Sequence, residues 1–323
     1  MKKKNFWSTL KKPIIILAPM ANVTDAAFRE LFAKYGKPDV IWTEFVSAEG
    51  LCSKGKKNLL VDLKYSEKER PIIAQIFGSS PETLARAAKM IQKLKFDGID
   101  INMGCPDRSV ERQGAGAALI KNPELAKEAI KKVKEAVEIP VSVKTRTGYS
   151  KDQTEEWIAE LLEEEPVAIT IHARTRKEMS KVPADWSTIK RAVKVRDKKK
   201  SKTLIIGNGD IASLKEAKER AQETGCDGIM IGRGAFGNPW FFKGKELQDI
   251  GVETRLKVMC WHTRIFERMF KRKKNFSIMK KHFKAYASDF KGAKELRMEL
   301  MKTKSADEVE IEIKRFLGKN KFA

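Results

Sequence analysis

One thiol stands in tight surroundings. Cys105 lies between Gly104 and Pro106 in the stretch "INMGCPDRSVERQGAGAAL", residues 101–119. Three roles fit it: a buried inert thiol, a nucleophile, or a proton donor. A nucleophile needs a depressed pKa and an adjacent base. No histidine is near in sequence, so only a fold that brings His172 to the thiol would supply one. A proton donor needs a protonated thiol, which the ordinary value of about 8.5 already gives at neutral pH. Gly104 and Pro106 fix the loop backbone, so the thiol can be aimed.

Other residues carry chemistry of a second kind. Lys144 and His172 each close an apolar run. A buried lysine is costly unless an anion compensates it, and a reduced flavin ring is one such anion. Gln75 offers both a donor and an acceptor to a ring edge. "GNGD" (207–210) and "IGRGAFGNPW" (231–240) combine small residues, which let backbone N–H groups approach an anion, with the charge of Arg233.

Something must hold these groups together. Short apolar, β-rich runs recur along the chain: "IIILAPM", "DVIWTEFV", "PIIAQIFG", "GIDINMG", "PVSVKTR", "AITIHAR", "TLIIGNG" and "GIMIGRG". They read as continuous runs, as expected of parallel strands covered on both faces. Helical patterns intervene, with N-cap signals at Ser80-Pro81 and Asn122-Pro123. This count and spacing predict an α/β fold, a (β/α)8 TIM barrel, with a doubly wound open sheet as the alternative. In a barrel the chemistry sits at the C-terminal strand ends. There the sequence places Pro19-Met20, Glu44, Gln75, Asn102 with Cys105, Lys144 and Arg146, His172 and Arg174, Asn208-Gly209-Asp210, and Gly232-Arg233-Gly234.

After residue 245 no strand run appears. Residues 1–245 are therefore expected to form the barrel and 246–323 a small all-helical domain. The latter holds the basic run Lys271-Arg272-Lys273-Lys274, then Lys280, Lys281 and Lys284, interleaved with aromatics. A second lysine cluster, "KVRDKKKSK" (194–202), reads as an exposed loop. The formal net charge is +23, from 66 basic and 43 acidic residues, which suits a polyanionic partner. Four cysteines without CxxC spacing argue against a zinc site or a disulfide framework, so a reducing cytoplasm and no metal are expected. No run approaches the roughly 20 apolar residues of a membrane span.

These motifs, in this order, resemble the FMN-dependent tRNA-dihydrouridine synthases. "LAPMANVTDAAFR", "NMGCP" followed by "GAGAALIKNP", "VKTRTG", "IHARTR", "ADWSTI", "IGNGDI", "MIGRGAFGNPW" and the tail "KKHFKAYASDFKGAKELR" carry the resemblance along nearly the whole chain. It implies FMN at the barrel mouth, with Pro19, Met20 and Ala21 beside the ring and Gln75, Lys144 and His172 in contact with it. Asn208, Gly209, Asp210, Gly232 and Arg233 would hold the phosphate side. NADPH, with NADH as the alternative, would reduce the flavin. A uridine flipped out of tRNA would receive hydride at C6 and a proton from Cys105 at C5. Asn102, Arg146 and Arg174 would meet the uracil or its phosphates, and Lys271, Arg272, Lys273 and Lys274 the RNA backbone. A monomer is expected. One departure stands beside the cysteine: Arg108 and Ser109 occupy the place where many members carry lysine.

Two other functions share parts of this pattern. A dihydroorotate-dehydrogenase-like enzyme does similar chemistry on a free pyrimidine but has no need of a basic tail. A non-catalytic RNA-binding barrel would bind no flavin.

Overall fold

The computed structural model describes residues 5–271 and 273–319. Eight parallel strands close into a barrel in sequence order: β1 Ile14–Leu17, β2 Val40–Ser47, β3 Ile72–Phe77, β4 Gly98–Asn102, β5 Val141–Arg146, β6 Ala168–His172, β7 Leu204–Asn208 and β8 Gly228–Ile231. The closing pair is β1 with β8, registered from Ile14 on Gly228 to Leu17 on Ile231. The barrel prediction holds, and the open sheet does not.

Side chains alternate between the barrel interior and the helix layer. Ile14, Ile16, Trp42, Ile73, Ala168, Ile206 and Met230 fill the interior. Ile41, Ile72, Ile99, Ile101, Val143, Ile169, Ile171, Ile205 and Ile229 pack outward against the helices. Both faces are apolar, which is why the strands read as unbroken runs. Toward the C-terminal ends the inward positions turn polar. Register pairs Gln75 with Asp100, Asn102 with Lys144, Arg146 with His172, and His172 with Asn208. A polar tier thus caps an apolar interior.

One strand breaks the alternation. Between β2 and β3, Trp42 pairs with Ile73 but Phe45 pairs with Gln75, so β2 carries one extra residue there. A one-residue slip turns later side chains to the other face. Phe45 thereby joins the inward set.

The helices are α1 Ala26–Tyr35, α2 Ala48–Leu51, α3 Lys56–Leu59, α4 Pro81–Lys93, α5 Arg108–Glu111, α6 Pro123–Ala136, α7 Thr154–Glu163, α8 Trp186–Lys198 and α9 Leu214–Thr224, then α10 Val252–Phe270, α11 Met279–Tyr286, α12 Ala293–Leu300 and α13 Ala306–Lys319. Ser80 and Asn122 cap α4 and α6 as expected, each accepting from a backbone N–H with proline opening the helix. The stretch 194–202 is not a loop throughout. Its first residues are the last turns of α8, which runs to Lys198 because Ala192 and Val193 still face the core.

The four C-terminal helices form a second core with Leu256, Phe266, Phe270, Phe283 and Tyr286. Ala26, Ala27 and Leu31 of α1 belong to that same core, Phe32 faces the barrel core, and Phe28 packs both there and against His262 and His282 of the tail. No helix among the described residues is long and apolar enough to cross a membrane.

Candidate active site

The C-terminal strand ends surround an open cavity of about 1030 Å³, counting its solvent-filled mouth. Pro19, Met20, Gln75, Asn102, Cys105, Lys144, Arg146, His172, Asn208, Gly209, Asp210, Gly232 and Arg233 all line it. Phe45 lines it too, through the slip in β2.

The cysteine backbone is held from several sides. The amide of Cys105 donates to Asn102 Oδ1 at 2.9 Å, and that of Gly104 donates to the same oxygen at 3.1 Å. The carbonyl of Cys105 accepts from Ala117 N at 3.0 Å. Gly116 makes this possible: its φ is +62°, and a Cβ there would lie 2.8 Å from Cys105 O. Arg146 Nε donates to Gly104 O at 2.8 Å, while its Nη1 donates to the carbonyls of Thr175 and Met179 at 3.0 Å each. Arg176 pairs with Glu111 of α5. The loop after β4 is thus strapped to the loop after β6. Burial raises the thiol pKa above its ordinary value, and this outweighs the lowering by the Arg146 cation. A thiol so placed stays protonated at neutral pH and suits an acid rather than a nucleophile.

A buried polar row supports Asn102. Its Nδ2 donates to Gln75 Oε1 at 3.0 Å, and Gln75 Nε2 donates to Asp100 Oδ2 at 2.7 Å. Ser142 Oγ donates to Asp100 Oδ1 at 2.6 Å. Asp100 is fully buried, and desolvation lifts its carboxyl to about 6. Asp100 and Ser142 gave no signal in the sequence, because each sits in the middle of an apolar run. The row also narrows two expectations: the amides of Gln75 and Asn102 are engaged in holding the cysteine loop.

On the neighbouring strand β5, Lys144 Nζ donates to Asn208 Oδ1 at 3.0 Å, and Asn208 Nδ2 donates to Met230 O at 2.8 Å. Desolvation, aided by Arg146, lowers the Lys144 ammonium to about 8. His172 Nε2 lies 3.0 Å from Arg174 Nη1. A guanidinium only donates, so Nε2 accepts and the ring proton is on Nδ1. Burial, then the nearby Lys144, Arg146 and Arg174 charges, holds the imidazole far below its ordinary range, so it is neutral. Asp210 accepts from Arg174 and, at 2.6 Å, from Arg233. Gly209, at φ +142°, turns the chain here.

Some expected residues stand elsewhere. Ala21 lines a neighbouring cavity rather than this one. Arg174 is buried and outside the lining of this cavity, with its guanidinium on His172, Asp210 and Val182 O. Lys274 is nearly buried, with Nζ 2.7 Å from both Glu44 Oε2 and Asp62 Oδ1. An ammonium shared by two carboxylates is not free for a phosphate. Lys271 and Lys273 are exposed, and Arg272 lies outside the described residues. At the departure beside the cysteine, Asp107 accepts from both Ser109 N and Ser109 Oγ at 2.8 and 2.6 Å, capping α5 and leaving Arg108 exposed.

The dihydrouridine synthase (Dus) family model matches residues 16–321. A Staphylococcus aureus protein (strain MRSA252) named "Probable tRNA-dihydrouridine synthase" is 41% identical over 309 residues, covering 95% of this chain and 94% of its own. A Bacillus subtilis (strain 168) protein named "Probable tRNA-dihydrouridine synthase 2" matches at the same identity and coverage. Among solved structures, histamine dehydrogenase from Rhizobium sp. 4-9 superposes with a TM-score of 0.52 at 12% identity over 78% of this chain. This chain spans about half of that neighbour's length, 48%, and the likeness concerns the fold alone. Family model and relatives agree over nearly the full sequence: this chain belongs to the dihydrouridine synthase family.

Proposed function

We propose that this oxidoreductase reduces the C5=C6 bond of a specific uridine in tRNA to 5,6-dihydrouridine, with FMN as its cofactor and NADPH as the reductant. The observation that carries the reading is the placement, in one cavity, of a protonated, backbone-clamped thiol and a half-buried lysine whose ammonium rests on a neutral carboxamide.

The residues present fit a flavin. Among the described residues, the hydrogen-bond partner of Lys144 is the neutral Asn208 carboxamide, and an anionic ring would supply a counter-charge. Gln75, Lys144 and His172 would border the ring, and Gly209, Gly232 and Arg233 its phosphate, where glycine backbones leave room for an anion. Bound FMN supplies the hydride that ends on C6 of the uracil. Cys105 holds a proton at Sγ and gives it to C5, completing the addition of two hydrogens. Its thiolate then recovers a proton from water at the open mouth, with Arg146 nearby to favour the anion. Arg146 and Asn102 keep the thiol aimed throughout.

A uridine must leave its stack to reach such a cavity. The tail offers a surface for the RNA around it. Lys280, Lys281, Lys284, Lys294 and Arg297 line one groove with Met298 and Met301. Five cations in one groove suit phosphates without base specificity.

The test is direct. Purified protein reconstituted with FMN is incubated with NADPH and unmodified tRNA, and dihydrouridine is measured by mass spectrometry of the digested RNA. Dihydrouridine at a defined position supports the reading. A flavin that NADPH reduces, without any dihydrouridine in tRNA, would overturn it.

A further inference from the structure

A second cavity of about 810 Å³ adjoins the first. Phe45 lines both, and the chain that contributes Met20 to one contributes Ala21 and Asn22 to the other. They thus share Phe45 near the end of β2 and the loop that follows β1. The cavity opens between the barrel mouth and the segment that follows α10, which supplies Lys273, Lys274 and Asn275.

Its electrostatics are divided by depth. At the floor, Glu44 accepts from Asn22 N with one oxygen and from Lys274 with the other. Asp62 gives one oxygen to the same ammonium. Two carboxylates share one cation, so the floor is net negative in a chain whose total is +23. A phosphate is repelled there, whereas the N–H donors on a nucleobase edge are attracted. The rim is the reverse. Lys273 is exposed at its edge, and Lys56 and Lys57 are exposed on the single turn of α3 that also carries Asn58 into the lining. Asn275 Oδ1 already accepts from Ser277 N, which leaves the Nδ2 of this lining residue as its group able to donate.

We infer that this second cavity binds the nucleotide adjacent to the target uridine: its base on the Asp62–Asn58 side, its phosphate at Lys273 and the α3 lysines, and Phe45 between the two bases. The inference rests on the uridine-reducing function proposed above. A negative floor beneath a positive rim matches a nucleotide, whose base donates and whose backbone is anionic. Phe45 gives every base a face to stack on. Recognition of the neighbour would then contribute to choosing which uridine is reduced.

The experiment uses the holoenzyme and RNA hairpins that carry the mapped target uridine. Two further hairpins replace its 5′ or its 3′ neighbour with an abasic residue. With the parent enzyme, one abasic hairpin is expected to raise KM roughly tenfold. Asn58→Ala and Asp62→Asn, both at the cavity and outside the thiol site, are expected to raise KM for the intact hairpin. They should also become indifferent to that abasic change, because the base no longer has its partners in the cavity. Abasic changes that cost nothing at either neighbour, or cost the same in Asn58→Ala as in the parent, would overturn the inference while leaving uridine reduction standing. Failure of the parent to form dihydrouridine even in intact tRNA would overturn both. Asn58 is exposed, so loss of fold does not obscure the comparison; circular dichroism checks it.

Discussion

Asn102 holds the loop that carries Cys105: one carboxamide oxygen accepts from the amides of both Gly104 and Cys105. The side chain three residues upstream of the proposed acid thus sets the direction of its thiol. Removing that oxygen leaves the thiol in place but unaimed. Asn102→Ala is expected to lower kcat about 100-fold, the scale at which small misplacements of a reacting group act, with little change in KM for tRNA. Initial rates of dihydrouridine formation check this.

Cys105→Ala removes the proton altogether. The variant is expected to keep FMN and tRNA binding while losing roughly 10²–10⁴-fold in dihydrouridine formation. The pH profile of the parent carries a second signature. In the proposed step the thiol is the active form, and burial raises its pKa, so the rate should hold through neutral pH and fall only on the alkaline side. A fall beginning below the ordinary thiol range would assign the step to another group.

Lys144 titrates near 8 while its ammonium rests on the neutral Asn208 carboxamide. The charged form is the one that attracts an anionic cofactor, so FMN affinity should weaken as pH rises through about 8. Flavin fluorescence titration across that range reads this, and Lys144→Met should bind more weakly with the pH dependence removed.

Lys274→Met leaves Glu44 and Asp62 without their shared cation in a nearly buried setting. A loss of about 3–5 kcal/mol in stability is expected, read from urea midpoints. Exchanging the half-buried Lys280 and the exposed Lys281 and Lys284 for glutamine should change stability little and weaken tRNA binding. The slope of log affinity against log salt should become shallower by about one for each phosphate no longer neutralised.

His262 and His282 pack ring to ring at 4.7 Å between α1 and the tail, both fully buried. Desolvation lowers His262 to about 3 and depresses His282 also. The unfolded chain therefore binds more protons below its histidine value of about 6.5, and stability falls as pH drops through that window. His262 alone accounts for about 2 kcal/mol by about pH 5. Asp25 and Asp100, raised to about 6, act in the opposite sense, binding protons in the folded chain between about 6 and the ordinary carboxylate range. A His262→Phe, His282→Phe pair should thus show a shallower acid loss of stability than the parent in thermal melts taken from neutral pH downward.

Much of this site could be read in the sequence because a parallel barrel strand is apolar along its length and changes character only at its tip. Lys144, His172 and Asn208 stood out for that reason. Phe45 did not, because an extra residue in β2 turned it inward and nothing in "DVIWTEFV" signals a register slip. Asp100 was hidden inside "GIDIN", where a carboxylate in a strand gives no hint of its cross-strand partners. Lys274 looked like one charge of a solvated run. Its partners, Glu44 and Asp62, come from far upstream, and only the folded chain brings them to it.

Helix α1 presents Phe32 to the barrel, Ala26, Ala27 and Leu31 to the tail, and Phe28 to both, so one ten-residue element is common to both interiors. Stripping away the tail would expose an oily flank on the barrel, beside the loop that carries Met20 and Asn22. The two parts are therefore lost together: proteolysis in the tail should disturb the cavity at the barrel mouth as well as the proposed RNA surface.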